Sequence, residues 1–547
     1  MKQLSNDKSL FHRIILVLAL IVIFVNALKF GMMKEDFFFD EKCSFSISNM
    51  SDLTVGQFWQ ILVDNDFSVN EVIAEIERIH LTSFLGVKHT DEAVNSIFHV
   101  RESNRFKLFG TILADTVDSH PPLYYLLIHI LCSFFMDMPL RDVGLIINYV
   151  SLMVTCFLVY KICKKHVDGF FAIVATLFYG LSFDFINNVT YIRNYAMLTM
   201  WVALLMYLNY DLLDKNGVLN KKRMVQVAAV EILAMLTQFF AAFFIIPMFV
   251  FTLIRIRAQG SLVKKYVSGQ VITGVIYLLI WPVSVAQVLF DESAAEVRGS
   301  IFSMQFLGKI KGFANLMRNS LFVGNYLIMF VAITVIAAAF IFFLKDNVKG
   351  KRLSEALSEE KIEYAALLFI PTAFFYLLAV ISSPWAADRY VMAAIPEISI
   401  ILLLAIRYLG MRLIKNETIC NMILAAIVVL SFIGNMSMTP YYLYPMNAVK
   451  QNFIDNYSEK EAIVVEPYYH AEFLDAFISV HHKYWTIVRE EELDDFLDSH
   501  SGDYSSFVMY ANNSCKMDEV LDCFDEHGFI LKSSDFTKDF YKVYIAE

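Results

Sequence analysis

The chain has 547 residues, of which 57% are hydrophobic, 15% aromatic and 18% charged, and its formal net charge is −10. Soluble domains are nearer one half apolar and about one quarter charged, so this composition excludes an ordinary soluble multidomain protein. The net charge says little by itself, because the placement of the charges matters more than their sum.

The apolar residues are gathered into largely uncharged runs between Ile14 and Asn435, separated by charged breaks. About 20 such residues suffice to cross a hydrocarbon core as helix. Basic residues mark cytoplasmic loops, and they cluster at Lys2–Arg13, Lys161–His166, Lys215–Arg223, Arg255–Lys265, Lys345–Arg352 and Arg407–Lys415. If all six clusters lie inside, an even number of spans separates each neighbouring pair. The first span is 14–32, read as a retained helix rather than a cleaved signal peptide.

A polar region follows, with amphipathic patches such as Val72–His80, and then apolar stretches at 121–137 and 143–162. Three crossings before Lys164 would break the parity. The 121–137 stretch is therefore expected to lie in or dip into the outer interface, since it is short and opens on Pro121-Pro122. Further spans are expected at about 169–186 and 192–212, then as a hairpin turning near Thr237–Gln238. The remaining ones are 267–287, 324–344, 364–382, 390–408 and 419–435. The expected fold is a polytopic α-helical membrane protein of about 11 spans, with a cytoplasmic N-terminus and a large first extracytoplasmic loop, 33–137.

Beyond Met446 the composition is that of a soluble domain. Apolar runs at Ala462–Val465, Ser506–Tyr510, Phe529–Leu531 and Tyr541–Ile545 alternate with helix-like Glu490–Leu497 and Met517–Phe524, the pattern of a small α/β domain. The domains are thus 1–445 and 446–547, the second extracytoplasmic. Cysteines are scattered without metal-type spacing; Cys515 and Cys523 are left open as a pair or as two thiols, because spacing does not supply disulfide geometry.

Five features look chemical. Asp40-Glu41 follows the first span and suits a general base, a metal site or a solvated turn. Asp118 and His120 precede two prolines that disfavour helix just upstream; a capping role for the aspartate is the plainer account. Asp184 and Tyr191-Ile-Arg193-Asn-Tyr195 fall at the outer end of a span, and Arg298-Gly299 and Arg389-Tyr390 lie in outer loops. Arginines there run against the positive-inside bias, so each is expected to meet an anion, either an internal carboxylate or a phosphate gripped by the planar fork. All five features land on one face of the membrane.

Taken in order, these motifs resemble the GT-C glycosyltransferases, in the branch of protein O-mannosyltransferases, aminoarabinose transferases and bacterial relatives. The resemblance covers about residues 10–410 and departs at Gln238, where many bacterial relatives have histidine. It implies inverting transfer of a sugar from a polyprenyl-phosphate-linked lipid donor to a hydroxyl of a lipid, glycan or protein acceptor, outside the cell membrane. It implies Asp40 and Glu41 as catalytic residues, Asp118, His120, Asp184, Tyr191, Arg193 and Tyr195 as positioning residues, and Arg298 and Arg389 as donor-phosphate ligands. A divalent cation held by Asp40, Asp118 and Asp184 is left open, and no nucleic-acid partner is expected. The rival readings are a transporter or lipid flippase, which predicts mid-membrane charges and internal repeats, and a catalytically idle scaffold of the same fold.

Overall fold

The computed structural model describes residues 2–66, 68, 71–72, 75, 85–116, 118–213, 218–290, 299, 306–348, 359–467, 475–477 and 480–546. Arg298 and most of the Val72–His80 patch lie outside them. The chain divides into two compact units. A membrane unit comprises Met1–Met32, Ser119–Tyr124 and Leu145–Tyr441; a loop-and-tail unit comprises Met33–Asp118, Tyr125–Gly144 and Tyr442–Glu547.

Among the described residues, eight helices are long and apolar enough to cross a membrane: Phe11–Met32, Leu140–His166, Phe239–Ile256, Gly260–Ile280, Tyr326–Asn347, Glu360–Ser382, Met392–Leu413 and Glu417–Asn435. A ninth candidate is the pair Gly169–Gly180 and Phe183–Thr190, bent by 55°. Tyr195–Asn209 and Lys221–Met235 are each 15 residues, about 22 Å at 1.5 Å per residue. Leu123–Phe134 is an apolar helix of 12 residues, about 18 Å and too short for a core of about 30 Å. Burial separates inner from outer helices. Of the apolar window in Leu140–His166, 67% is buried, against 11% in Tyr326–Asn347. Leu327, Phe330 and Ile333 stand exposed on the latter, which suits hydrocarbon as their solvent. The chain is a polytopic α-helical membrane protein with a C-terminal β-rich domain.

Two local breaks shape the membrane unit. At Gly180 the first helix comes so close that a Cβ would sit 2.4 Å from Ile23 Cδ1. Two residues on, the Ser182 hydroxyl accepts the Phe185 N–H at 3.1 Å and caps a new helix, which produces the bend. The expected hairpin turn falls after Lys221–Met235, where Gln238 is extended and its side chain accepts the Phe239 N–H at 2.8 Å.

In the loop-and-tail unit, six strands form one sheet in the order β1-β3-β2-β4-β6-β5. They are β1 (Lys88–Thr90), β2 (Glu461–Glu466), β3 (Tyr484–Arg489), β4 (Phe507–Asn512), β5 (Leu531–Thr537) and β6 (Tyr541–Ala546). β2 pairs in parallel with β3 and β4, and the other pairings are antiparallel. Alternate residues Ile463, Val465, Val488, Phe507, Met509 and Ala511 pack with Leu497, Val520 and Phe524 of helices Leu493–His500 and Met517–Glu526. The intervening residues Ala462, Val464, Val508 and Tyr510 are buried as well, which is why the strands read as continuous apolar runs. Three strands escaped the sequence reading: β3; β5, which shares only Leu531 with the expected run Phe529–Leu531; and β1, a three-residue edge contributed from far upstream.

Segment 34–42 is fastened to the tail by buried charge. Lys42 Nζ meets Asp475 Oδ1 at 2.8 Å and the Asp475 carbonyl at 2.8 Å, and both side chains are buried. Asp36 accepts from Lys450 at 2.9 Å and Lys538 at 3.4 Å. Removing one member of such a buried pair leaves an uncompensated charge, which costs about 3–5 kcal/mol, whereas an apolar replacement of both is often near neutral. Asp475→Ala is therefore expected to lower the unfolding midpoint of the purified protein sharply. Lys42→Met combined with Asp475→Leu is expected to recover most of that loss. Equal losses in the single and double variants would show the pair to be incidental.

Candidate active site

Asp40 is the second residue of helix Phe39–Asn49 and is half-buried. An acid in the first turn is favoured by the helix dipole. Phe38 before it has no side-chain acceptor, so the helix start relies on Glu41, whose carboxylate accepts the Phe38 N–H at 2.6 Å. Glu41 is fully buried and ion-paired with Lys34 at 2.9 Å; Lys34 also donates to the Tyr442 carbonyl at 2.7 Å. Burial lowers the Lys34 ammonium, with Glu41 opposing the shift. Asp36, Glu41 and Lys42 are thus locked around Asp40, whose own backbone carbonyl accepts the Ser44 hydroxyl at 3.0 Å. In the same unit, Asp118 accepts the Tyr125 hydroxyl at 2.8 Å.

The membrane unit holds His120, Asp184, Tyr191, Arg193, Tyr195 and Arg389. After the helix Phe183–Thr190 ends, the Asn148 amide donates to the carbonyls of Val189 at 3.0 Å and Tyr191 at 2.7 Å. That supplies partners for a non-helical stretch, as hydrocarbon surroundings require, and fixes Tyr191 and Arg193. Arg193 Nη2 lies 3.3 Å from His120 Nε2, while His120 Nδ1 is 3.1 Å from the Ser119 hydroxyl. Because arginine only donates, Nε2 is the acceptor in this contact. Gln287 donates to the His120 carbonyl at 3.2 Å and accepts from the Trp281 indole at 2.9 Å.

Arg389 Nη1 donates to the Tyr191 hydroxyl at 3.2 Å, and Tyr191 stacks on Tyr195 with centroids 5.8 Å apart. The guanidinium also lies over Trp385 at 5.8 Å and Tyr390 at 5.3 Å, within cation–π range. Asp388 uses Oδ1 to accept the Arg389 N–H at 2.9 Å. Asp184 is fully buried with Asp388 and Ser320 as polar neighbours, and neither of its carboxylate oxygens has a hydrogen bond of good geometry among the described residues.

His120, Tyr191, Arg193, Tyr195 and Arg389 thus form two adjoining polar contacts in one unit, while Asp40, Glu41 and Asp118 belong to the other. Sequence reasoning passed over Glu397, fully buried in the first turn of helix Ile395–Leu413; an acid inside an apolar run was its signal. It also passed over Lys34 and Lys42, which carry no motif.

Residues 119–285 match a family model described as dolichyl-phosphate-mannose-protein mannosyltransferase. This is the stretch that carries His120, Asp184, Tyr191, Arg193 and Tyr195. The matched stretch falls within the part of the chain that carried the resemblance to the GT-C glycosyltransferases. Solved structures similar to the chain include ArnT from Cupriavidus metallidurans in the apo state (TM-score 0.46, 11% identity, 78% of this chain and 87% of that one). The same protein bound to undecaprenyl phosphate gives a TM-score of 0.42 at 12% identity, over 78% and 88% of the two chains. The Archaeoglobus fulgidus oligosaccharyltransferase tethered to an acceptor peptide gives 0.42 at 12% identity, over 77% and 66%. No curated protein sequence matches the chain.

For a divalent cation, one set of three donors gathers among the described residues. They are Asp494, Cys523 and His527 in the tail, whose ligand atoms lie within 4.8 Å of one another. Cys515 and Cys523 are not disulfide-bonded: Cys515 is buried in the sheet core and Cys523 faces Asp494.

The charge cluster around Asp40 makes a pH prediction. Burial alone would raise the Asp36 carboxyl, but Lys538, Lys42 and Lys450 outweigh it and hold it well below the usual range. A depressed carboxylate contributes stability that is complete above its unfolded value, about 4, and is lost as pH falls toward its folded value. Asp36→Asn is expected to be less stable than the parent at neutral pH and to lose less on acidification below about pH 4. Parallel stability–pH curves for the two proteins would remove Asp36 from this role.

Proposed function

We propose that the chain is an inverting glycosyltransferase that moves a sugar from a polyprenyl-phosphate-linked donor to an acceptor hydroxyl on the extracytoplasmic side of the membrane. The observation that carries this reading is the pairing of Arg193 with His120 and of Arg389 with Tyr191, in and beside the segment matched to the mannosyltransferase family. A guanidinium presents a planar fork of donors that suits an incoming phosphate. Arg389 and Arg193 would stabilise the polyprenyl phosphate as it leaves, and Asp40 would take the proton of the attacking hydroxyl. Glu41 is a positioning residue here, since its carboxylate is engaged by Lys34 and the Phe38 amide. Arg298 keeps the phosphate role assigned from sequence alone.

Eleven spans, with a cytoplasmic N-terminus and an extracytoplasmic tail, belong to the same proposal. Single cysteines placed at exposed Lys221 and Lys415 are expected to react with an impermeant reagent only after permeabilisation, and one at Asp503 to react in intact cells. Labelling of Lys221→Cys from outside would defeat this topology.

Asp40→Asn keeps the size of the side chain and most of its hydrogen bonding while removing the base. It should leave expression and donor binding near normal and lower turnover by about 10²-fold or more. Arg389→Ala should weaken donor binding, with only partial recovery in Arg389→Lys because the bidentate fork is lost. Glu41→Gln should appear first as reduced stability. Transfer assays with a polyprenyl-phosphate sugar decide these points: wild-type turnover in Asp40→Asn ends the general-base assignment, and unchanged donor affinity in Arg389→Ala ends the phosphate role.

A further inference from the structure

We propose that Asp494, Asp498, Cys523 and His527 form a binding site for a zinc-class divalent cation that joins the two helices of the tail domain. The site stands on its own geometry and is independent of the transferase reading.

Helices Leu493–His500 and Met517–Glu526 pack on the same face of the sheet through Leu493, Leu497, Val520 and Phe524. Each presents two donor residues four positions apart: Asp494 and Asp498 on one, Cys523 and His527 on the other. That spacing puts each pair on one helix face. His527 Nε2 lies 3.1 Å from Asp498 Oδ1 and 3.8 Å from Asp494 Oδ1, and Cys523 Sγ lies 3.8 Å from Asp494 Oδ1. Around zinc, with bonds of about 2.0–2.3 Å, the edges of a ligand tetrahedron are about 3.3–3.8 Å. The donors of Asp494, Cys523 and His527 therefore stand near coordination spacing, with Asp498 beside His527 as a fourth.

The histidine is also oriented as a ligand. Its Nδ1 lies 2.8 Å from the Cys523 carbonyl and donates to it; Nε2 donates to Asp498 in the unliganded protein and would give up that proton to solvent to present its lone pair to a cation. A backbone carbonyl on the far ring nitrogen is the usual support of a metal-bound imidazole. The backbone at this point is fixed by the helix end. Gly528 has φ +84°, its N–H donates to the Asp525 carbonyl at 2.9 Å, and the Phe529 N–H donates to the Phe524 carbonyl at 2.9 Å. These are the two bonds of a Schellman ending, with the Phe524 and Phe529 rings in edge contact.

The donor set selects the ion. One thiolate, one imidazole and carboxylate oxygens suit zinc and its neighbours, whereas calcium takes six to eight oxygens and magnesium an octahedron of oxygens. Without a cation, two carboxylates four residues apart on one helix repel each other. Binding would replace the thiol proton, which leaves to solvent, with a metal–sulfur bond.

The test uses the full-length protein in detergent, stripped with a chelator and titrated with Co²⁺ alone, then with Zn²⁺. One equivalent of Co²⁺ is expected to bind with a thiolate-to-cobalt charge-transfer band, and Zn²⁺ to displace it and raise the unfolding midpoint. Cys523→Ser should abolish the band. His527→Ala and Asp494→Asn should weaken Zn²⁺ binding by about tenfold or more. Asp494 and Asp498 are exposed, so their asparagine variants will fold, and they keep the test sound if the helix-end variants do not. Absence of a thiolate band in the parent protein overturns the proposal. So does a band that survives Cys523→Ser, or Zn²⁺ affinity unchanged in both Asp494→Asn and Asp498→Asn.

Discussion

The loop-and-tail unit depends on charges taken out of water. Lys34, Asp36, Glu41 and Lys42 all lie within nine residues of one another, and their partners Asp475, Lys450 and Lys538 come from the far end of the chain. Such ions are tolerable only when their lone pairs and protons are matched, so the segment that carries Asp40 has little freedom to sit elsewhere. The network contributes register more than stability: buried ion pairs are weak sources of net free energy but strong penalties against wrong pairings.

The membrane unit obeys a different constraint. Backbone that leaves the helix inside hydrocarbon must find internal partners, and the breaks at Ser182, Tyr191 and Gln238 are each supplied with them. The polar side chains gathered in this unit, Tyr191, Arg193 and Arg389 among them, sit at or beside those breaks. Leaving the helix turns side chains away from the lipid-facing ladder toward one another, so the irregularities that hydropathy treats as noise are where chemistry can be placed. For the proposed transferase, that accounts for arginines on a face where the positive-inside bias disfavours them.

The tail meets its need for order through a sheet buried on both faces. Its helices lie over one side, and Tyr510, Trp485 and His482 pack on the other, with His482 Nε2 2.8 Å from the Tyr510 hydroxyl. Burial holds the His482 imidazole down to about 4, so this polar contact stays neutral within an apolar layer. The outer surfaces of the two helices remain free for other work, and the four donor residues lie there.

The sequence by itself determined the membrane class, the order of the apolar helices, the hairpin break near Gln238, and the strands at Glu461–Glu466, Phe507–Asn512 and Tyr541–Ala546. These follow from composition and periodicity, which act over short stretches of chain. It also picked out His120, Arg193, Tyr191 and Arg389 as unusual, because polar groups beside apolar runs are conspicuous. Only the tertiary structure decided that Arg193 meets His120 and Arg389 meets Tyr191. The same holds for the engagement of Glu41 with Lys34, for Lys88–Thr90 completing a sheet built mainly from residues 461–546, and for Asp494 and Asp498 facing Cys523 and His527. Each of these is a pairing across tens or hundreds of residues, and no local pattern encodes a partner whose identity depends on how the intervening chain packs.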